Sequence, residues 1–290
     1  MKRQDFRFFH RLRVRWVEVD MQKIVFNAHY LMYFDTAITD YWRALAMPYE
    51  EAMVQLGGDL YVKKASIEYH GSAVFDDRID VALRCDRVGN SSMVFSGAIF
   101  RGEELLITCE LIYVFADPAS QTSRPVPDAL RHLLTSFEAG EATLTIKTGG
   151  WSALGRDAAA VRMAVFVREQ AIPVEMEWDR SDDAPTTLHA VAYNGLGAAV
   201  ATGRLLVYAD REGQVGKIGR MAVHRALRGS RIGQEILQVL MTAAQQRGDT
   251  EVLLHAQRSA EGFYQRLGFM PRGETFAEAG IAHLEMFKML

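Results

Sequence analysis

The stretch that decides the fold of the first half reads "VEVDMQKIVFNAHYLMYFDTA", Val17 to Ala37. It sets one carboxylate, Asp20, at the end of an alternating pattern that starts at Arg7, the period of a half-buried strand. Asn27 then opens an amphipathic run that carries Leu31, Phe34, Ile38, Tyr41, Trp42 and Leu45 on one helical stripe. An acid therefore lies close in sequence to the start of a long helix. A helix start offers unpaired N–H groups and the positive end of the dipole, which polarise a carbonyl oxygen that gains charge during attack. A carboxylate beside it can attack directly or activate water. Spacing alone leaves a plainer reading open, in which the acid only shapes a turn.

Downstream of that helix the strand signals fall at Tyr61–His70, Arg78–Val88, Met93–Arg101 and Leu105–Ala116, each bounded by Gly, Asp or Asn. Tight links between consecutive strands imply an antiparallel sheet, with the one long helix covering its face. The composition shifts at "ADPASQTSRPVPDALRHLLTSFEAGEATL", Ala116 to Leu144, where three prolines stop a strand and a short helical pattern runs from Asp128 to Phe137. The boundary is placed near Gly140, dividing the chain into 1–138 and 139–290. A length of 290 residues suits two domains.

Beyond the seam a helix is expected over Trp151–Glu169. Strands follow at Leu188–Tyr193, Ala198–Val207 and Gly216–Val223, then a strong helix over Arg228–Arg247 and a buried strand over Glu251–Ala256. A short helix from Ser259 (its expected N-cap) to Leu267 and a last strand near Ile281–Lys288 complete an α+β chain.

A formal net charge of −3 gives no basic field for nucleic acid. The two cysteines, Cys85 and Cys109, lie far apart in strand-like segments, and the eight histidines are scattered. That pattern is neither a disulfide framework nor a metal site, and it predicts a reducing, cytoplasmic setting. No apolar run approaches the ~20 residues of a membrane span, and no signal-peptide pattern opens the chain.

With these residues in view, "VEVDMQKIVFNAHYLMYFDTA" resembles the opening motif of hotdog-fold acyl-CoA thioesterases of the 4-hydroxybenzoyl-CoA thioesterase type. "VKKASIEYHGSAVFDDRIDVALRCDRVGNSSMVFSGAIF" is similar to that family's later strands. The resemblance covers roughly residues 5–135. It implies Asp20 as nucleophile or general base, N–H groups near Asn27–Tyr30 on the thioester carbonyl, and a homo-oligomer paired through the hotdog sheets. One departure stands out: Lys23 occupies the place of the family's glycine, so the loop backbone is in question. His29 reads either as a participant or as packing, and Asn27 either orients water or caps the helix. Tyr30 reads as helix core whose backbone is used. Glu18, two residues before Asp20, is a conceivable second carboxylate or the partner of an N-terminal arginine.

"RALRGSRIG" links the strand ending at Val223 to the next helix. Small residues at a strand-to-helix turn let N–H groups approach an anion, and the dipole favours a diphosphate. Neither a Walker loop nor a dinucleotide fingerprint is present. Taken with "VLLHAQ" and "AEGFYQRLGF", the segment resembles the GNAT N-acyltransferases over roughly residues 143–290. Arg228 and Gly233 match that family's loop pattern, while Arg231 stands where a small residue is usual. The resemblance implies that Arg228, Gly229, Ser230, Arg231, Ile232 and Gly233 hold the coenzyme A diphosphate. Met221, Ala222 and Val223 would pair with the pantetheine amides, and Tyr264 would protonate the leaving thiolate. The acidic run Glu175, Glu177, Asp179, Asp182 and Asp183 reads either as bait for a cationic amine or as a solvated loop. His189, Glu278 and His283 are candidates near the acceptor.

The two resemblances together imply a bifunctional coenzyme A thioester enzyme. Acetyl-CoA or acyl-CoA and an amine would be its small-molecule substrates, with no tightly bound cofactor, no metal and no membrane partner. The alternative is a thioesterase whose second half binds acetyl-CoA as a regulatory module without transferring the acyl group.

Overall fold

The computed structural model describes residues 1–208 and 214–290, in two units, Met1–Thr143 and Leu144–Leu290. In the first unit β1 (Phe8–Arg13) precedes α1 (Asn27–Ala44) and α2 (Tyr49–Leu56). β2 (Asp59–Tyr69), β3 (Arg78–Val88), β4 (Ser92–Arg101), β5 (Glu104–Ala116) and α3 (Asp128–Glu138) follow. The five strands form one antiparallel sheet in the order β1-β3-β4-β5-β2.

The alternation from Arg7 overstates the first strand. β1 stops at Arg13, and Trp16–Glu18 is a 3₁₀ turn, because the Arg15 N–H and guanidinium both bond the Glu18 carboxylate, at 2.7 and 2.8 Å. Glu18 and Asp20 therefore do not share a strand face.

Helix α1 buries Tyr30, Tyr33, Phe34, Ala37, Ile38, Tyr41 and Trp42, and Leu45 after it is buried too, so of the expected stripe only Leu31, 41% exposed, lies off the core. The Phe34 ring lies so close to β4 that a Cβ on Gly97 would meet it at 2.5 Å. Helix and sheet touch there without room for a side chain. Helix α2, unanticipated from the sequence, begins after Pro48 and ends at Gly57, whose φ of +71° supplies a left-handed C-cap. Cys85 and Cys109 are buried in β3 and β5, and burial pushes both thiols up to about 12.

In the second unit β6 (Leu144–Gly149) precedes α4 (Trp151–Arg162), a π-helical turn (Met163–Glu169) and the short α5 (Val174–Glu177). Then come β7 (Leu188–Asn194), β8 (Ala199–Val207), β9 (Val215–Val223), α6 (Ile232–Arg247), β10 (Glu251–Gln257), α7 (Glu261–Arg266), β11 (Met270–Glu278) and β12 (Ile281–Met289). The sheet runs β11-β12-β10-β9-β8-β7-β6 and is antiparallel except at β9/β10. Strands β6 and β11 were not anticipated. Ser259 is not the N-cap of α7; a 3₁₀ turn occupies Arg258–Ala260 and Ala260 precedes the helix.

The parallel β9/β10 pairing pairs only Val215–Lys217 with Glu251–Leu253 among the described residues. Beyond Lys217 the two strands part, and a bulge in β9 opposite Thr202–Arg204 puts Arg220 at φ +52°. Among the described residues no helix is long and apolar enough to cross a membrane.

Candidate functional sites

In the first unit a tight hairpin pairs Val19 with Val25. The Asp20 N–H bonds the Ile24 carbonyl at 2.9 Å and the Lys23 N–H bonds the Asp20 carbonyl at 3.0 Å. Lys23 sits at φ +63°. A residue with a Cβ gives up about 1–2 kcal/mol in that left-handed region. The lysine thus holds the conformation a glycine adopts freely, and the departure from the family pattern changes the side chain without unmaking the turn. The Phe26 N–H then bonds the Glu18 carbonyl at 2.9 Å, which brings the start of α1 back beside the Glu18–Asp20 segment.

Asp20 is half-buried, and its carboxylate accepts the Gln22 N–H at 2.8 Å. Phe26 is the N-cap of α1 and no side chain caps it, so Asn27 is the first helical residue and not the cap. The N–H groups of Asn27 and Ala28 meet no backbone acceptor among the described residues. His29 packs its ring against Phe26 at 6.0 Å, and its Nδ1 is buried without a hydrogen-bond partner. Tyr30 is in the core, where its hydroxyl accepts the Ala73 N–H at 2.9 Å and burial pushes the phenol up.

Glu18 is 3% exposed and also accepts the Tyr33 hydroxyl at 2.8 Å. Burial works to raise its carboxyl, but the Arg15 and Tyr33 bonds outweigh burial and hold it below the ordinary range. With its oxygens occupied, Glu18 holds the turn together and is no second catalytic acid.

In the second unit β9 runs through Met221, Ala222 and Val223 into a loop that reaches α6 at Ile232, four residues later than the expected helix start. Gly229 lies at φ +87° and Arg231, the N-cap, at φ +69°. The N–H groups of Gly229, Arg231, Ile232 and Gly233 meet no backbone acceptor among the described residues, and Gly229, Ser230 and Arg231 are exposed. Successive open N–H groups at a helix start make an anion cradle. Arg228 does not join it through its side chain. The guanidinium bonds Glu169 twice, at 2.6 Å each, and this holds the Glu169 carboxyl below its ordinary range. Ser230 turns its hydroxyl onto the Leu227 carbonyl. A Cβ on Gly233 would sit 3.3 Å from Val223, so the helix start is seated tightly on β9.

Where β9 and β10 part, a cavity of about 400 Å³ opens. Tyr264 lines it, 8% exposed, between Phe263 and Phe269 at ring distances of 4.9 and 5.8 Å. Burial pushes its phenol up to about 12, so it is protonated throughout the neutral range. His255, from the "VLLHAQ" strand, also lines the cavity and was overlooked in the sequence. Burial first, and then the nearby Lys217 ammonium, push its imidazolium down toward the neutral form. Its imidazole lies 3.8 Å from Glu278 and 3.9 Å from Glu285. Glu278 and His283 line the cavity, but His189 does not. Its Nε2 is bonded to the Asp182 carbonyl at 3.0 Å, in a 1% exposed position.

The acidic run is neither a solvated loop nor free bait for a cation. Arg162 is 1% exposed, with its guanidinium on the Glu177 carboxylate and on Asp182 at 2.8 and 3.0 Å. Arg204 bonds Asp179 at 2.8 Å and Asp182 at 2.7 Å, and Arg220 bonds Asp179 at 3.0 Å. Glu175 and Asp183 alone of the five acids stay exposed without a bond to this network. Burial works to raise the Asp182 carboxyl, but Arg162 and Arg204 outweigh it and hold it below the usual range.

The "Thioesterase superfamily" family matches residues 22–108 and the "Acetyltransferase (GNAT) domain" family matches residues 159–290. The second half is similar to the "Uncharacterized N-acetyltransferase YjcF" of Bacillus subtilis (strain 168), 36% identical over 46% of this chain and 91% of that one. It is also similar to "Protein ElaA" of Escherichia coli (strain K12), 35% identical over 43% of this chain and 81% of that one. The first half is similar to a protein of Aquifex aeolicus (strain VF5) named "Putative esterase", 30% identical over 32% of this chain and 73% of that one.

Replacing Arg162 tests the buried network. Arg162→Met takes the nearest guanidinium from buried Glu177 and one of two from Asp182, which keeps Arg204, and should cost about 3–5 kcal/mol in urea unfolding. The depressed Asp179 and Asp182 carboxyls contribute stability that is complete above the ordinary aspartate pKa and is lost as pH falls through their lowered values. The unsubstituted chain should therefore weaken below about pH 4, and the variant less steeply. Equal acid profiles would show that the network does not carry this stability.

Proposed function

This chain belongs to the thioesterase superfamily through its first unit and to the GNAT acetyltransferases through its second, and from that premise we propose that both units act on coenzyme A thioesters. The first hydrolyses an acyl-CoA; the second transfers the acyl group to an amine.

For hydrolysis, the thioester carbonyl oxygen lies at the open Asn27 and Ala28 N–H groups. Asp20 attacks the carbonyl carbon or removes a proton from an attacking water. His29 and Tyr30 position the helix start by packing. The N–H groups are preorganised because the Val19–Val25 hairpin, and not the ligand, fixes where α1 begins.

For transfer, the α6 cradle binds the coenzyme A diphosphate and the open edge of β9 at Met221–Val223 pairs with the pantetheine arm. The observation that carries this reading is the parting of β9 from β10, with Tyr264 lining the cavity so formed. Amine nitrogen attacks the thioester carbon, the C–S bond breaks, and one proton must travel from nitrogen to sulfur. Neutral His255 takes the nitrogen proton, and Tyr264, still protonated, donates to the developing thiolate. Arg231, which stands where the family has a small residue, is exposed and already left-handed, so the turn keeps its helix start. Acetyl-CoA and acyl-CoA are substrates in this scheme and not resident cofactors.

Homo-oligomerisation belongs to the same reading. Strand β2 is an edge of the first sheet, with Tyr61 39% and Val62 55% exposed, and an unpaired edge of this kind invites a second copy. Sedimentation velocity should show at least a dimer at micromolar concentration, and a monomer alone would remove this part.

Asp20→Asn keeps the shape of the turn and should slow acyl-CoA hydrolysis at least about a hundredfold while transfer to amines continues. Unchanged hydrolysis would reject Asp20. Tyr264→Phe should lower kcat for acetyl transfer about a hundredfold with coenzyme A affinity retained. Unaltered turnover would leave the tyrosine as core packing.

A further inference from the structure

The charged groups in and behind the wall of the second unit's cavity are not all held in ion pairs. Three carboxylates, Glu177, Asp179 and Asp182, are matched by three guanidiniums, Arg162, Arg204 and Arg220. Lys217 stands outside that set. It lines the cavity, and among the described residues no carboxylate lies within ion-pair distance of its Nζ, whose recorded contact is the Tyr208 ring at 5.4 Å. Glu278 and Glu285 act on it only at longer range, and Glu285 already bonds Arg272 at 2.6 Å. Arg204 and Arg220 each also hold a buried Nε with no hydrogen-bond partner.

Register places Lys217 beside His255. Lys217 pairs with Leu253, and His255 follows two residues later, so both side chains leave the same face of the sheet. That spacing, about 7 Å along the strand, suits two neighbouring groups of one small molecule. Resting on the transferase reading, we propose that the acceptor is an amine that also carries a carboxylate, with the carboxylate on Lys217 and the amino group facing His255.

A half-buried ammonium without a counter-ion is costly, and a carboxylate from the ligand supplies the missing charge. The charges around Lys217 point the same way. Burial pushes its ammonium down, and Arg204 and Arg220 add to that against the pull of Glu278 and Glu285. An anion in the cavity reverses the trend, whereas a purely cationic amine adds its charge to those of Lys217, Arg204 and Arg220. A cavity of about 400 Å³ holds an amino acid together with an acetyl group, but no large peptide.

Matched pairs of amines test the proposal on the full chain saturated with coenzyme A. L-lysine against cadaverine, L-phenylalanine against phenethylamine and L-histidine against histamine each differ by the carboxylate. In calorimetry, at least one acid should bind about tenfold or more tighter than its decarboxylated twin. Lys217→Gln should erase that difference while leaving coenzyme A affinity unchanged. Twins that bind alike in every pair, or a preference that survives Lys217→Gln, overturn the carboxylate site. Acetyl transfer read in parallel separates the two claims. If twins are acetylated equally well, the transferase stands and this inference falls. If binding depends on the carboxylate and on Lys217 but neither twin is acetylated, the site stands and the transferase reading falls.

Discussion

A guanidinium cannot be taken out of water unpaired, and Arg162 is 1% exposed. Its burial at the end of α4 requires carboxylates to come to it, and the chain meets that demand with Glu177 and Asp182. The polypeptide from Glu177 to Asp182 is therefore held as one wall of the cavity, although it contains little regular structure. Arg204 and Arg220 reach the same acids from β8 and β9, so the wall is fastened to the sheet where β9 bulges. The network is stabilising only while it is complete. Each charge removed takes a partner from two others in the network.

The first unit meets a comparable demand at smaller scale. Buried Glu18 is matched by Arg15 and Tyr33, and the turn so fixed carries Asp20 at its far end. In both units a buried carboxylate acts on geometry, while the acid or phenol assigned to chemistry sits a few residues or one strand away. Lys23 and Arg231 extend the parallel. Each is a cation held left-handed at the last turn before a helix whose first N–H groups are open.

Much of this was legible in the sequence. β3 has the predicted ends, β2, β4 and β5 lie within two residues of theirs, and the Trp151–Glu169 helix has the predicted span; apolar periods mark all of these but β2, which its bounding Gly and Asp residues delimit. The division of that helix into α and π parts was not legible, since one inserted residue in a turn hardly disturbs the pattern. β6 and β11 were missed because they are edge strands with mostly exposed residues, and such strands lack the hydrophobic signal that identifies central ones. The places of Asp20 beside the start of α1 and of Tyr264 on the α7 segment were legible through motif. His255 was not, because its place in the cavity depends on β9 leaving β10, a register event between residues that pair 36 positions apart and that no local pattern encodes. The misreading of Glu177 and Asp182 has a similar cause. Their partners, Arg162, Arg204 and Arg220, come from three separate elements.

The two cysteines carry a last consequence. Cys85 and Cys109 are the chain's whole complement of sulfhydryls, and both lie in the first sheet with acidities near 12. Sulfur exchanges with disulfides and captures acyl groups in its ionised form. On the proposed reading, a protein that handles activated acyl sulfur compounds presents both of its thiols buried and neutral. Burial of this kind disfavours self-acylation and mixed disulfides with a thiol product, without a dedicated protective device.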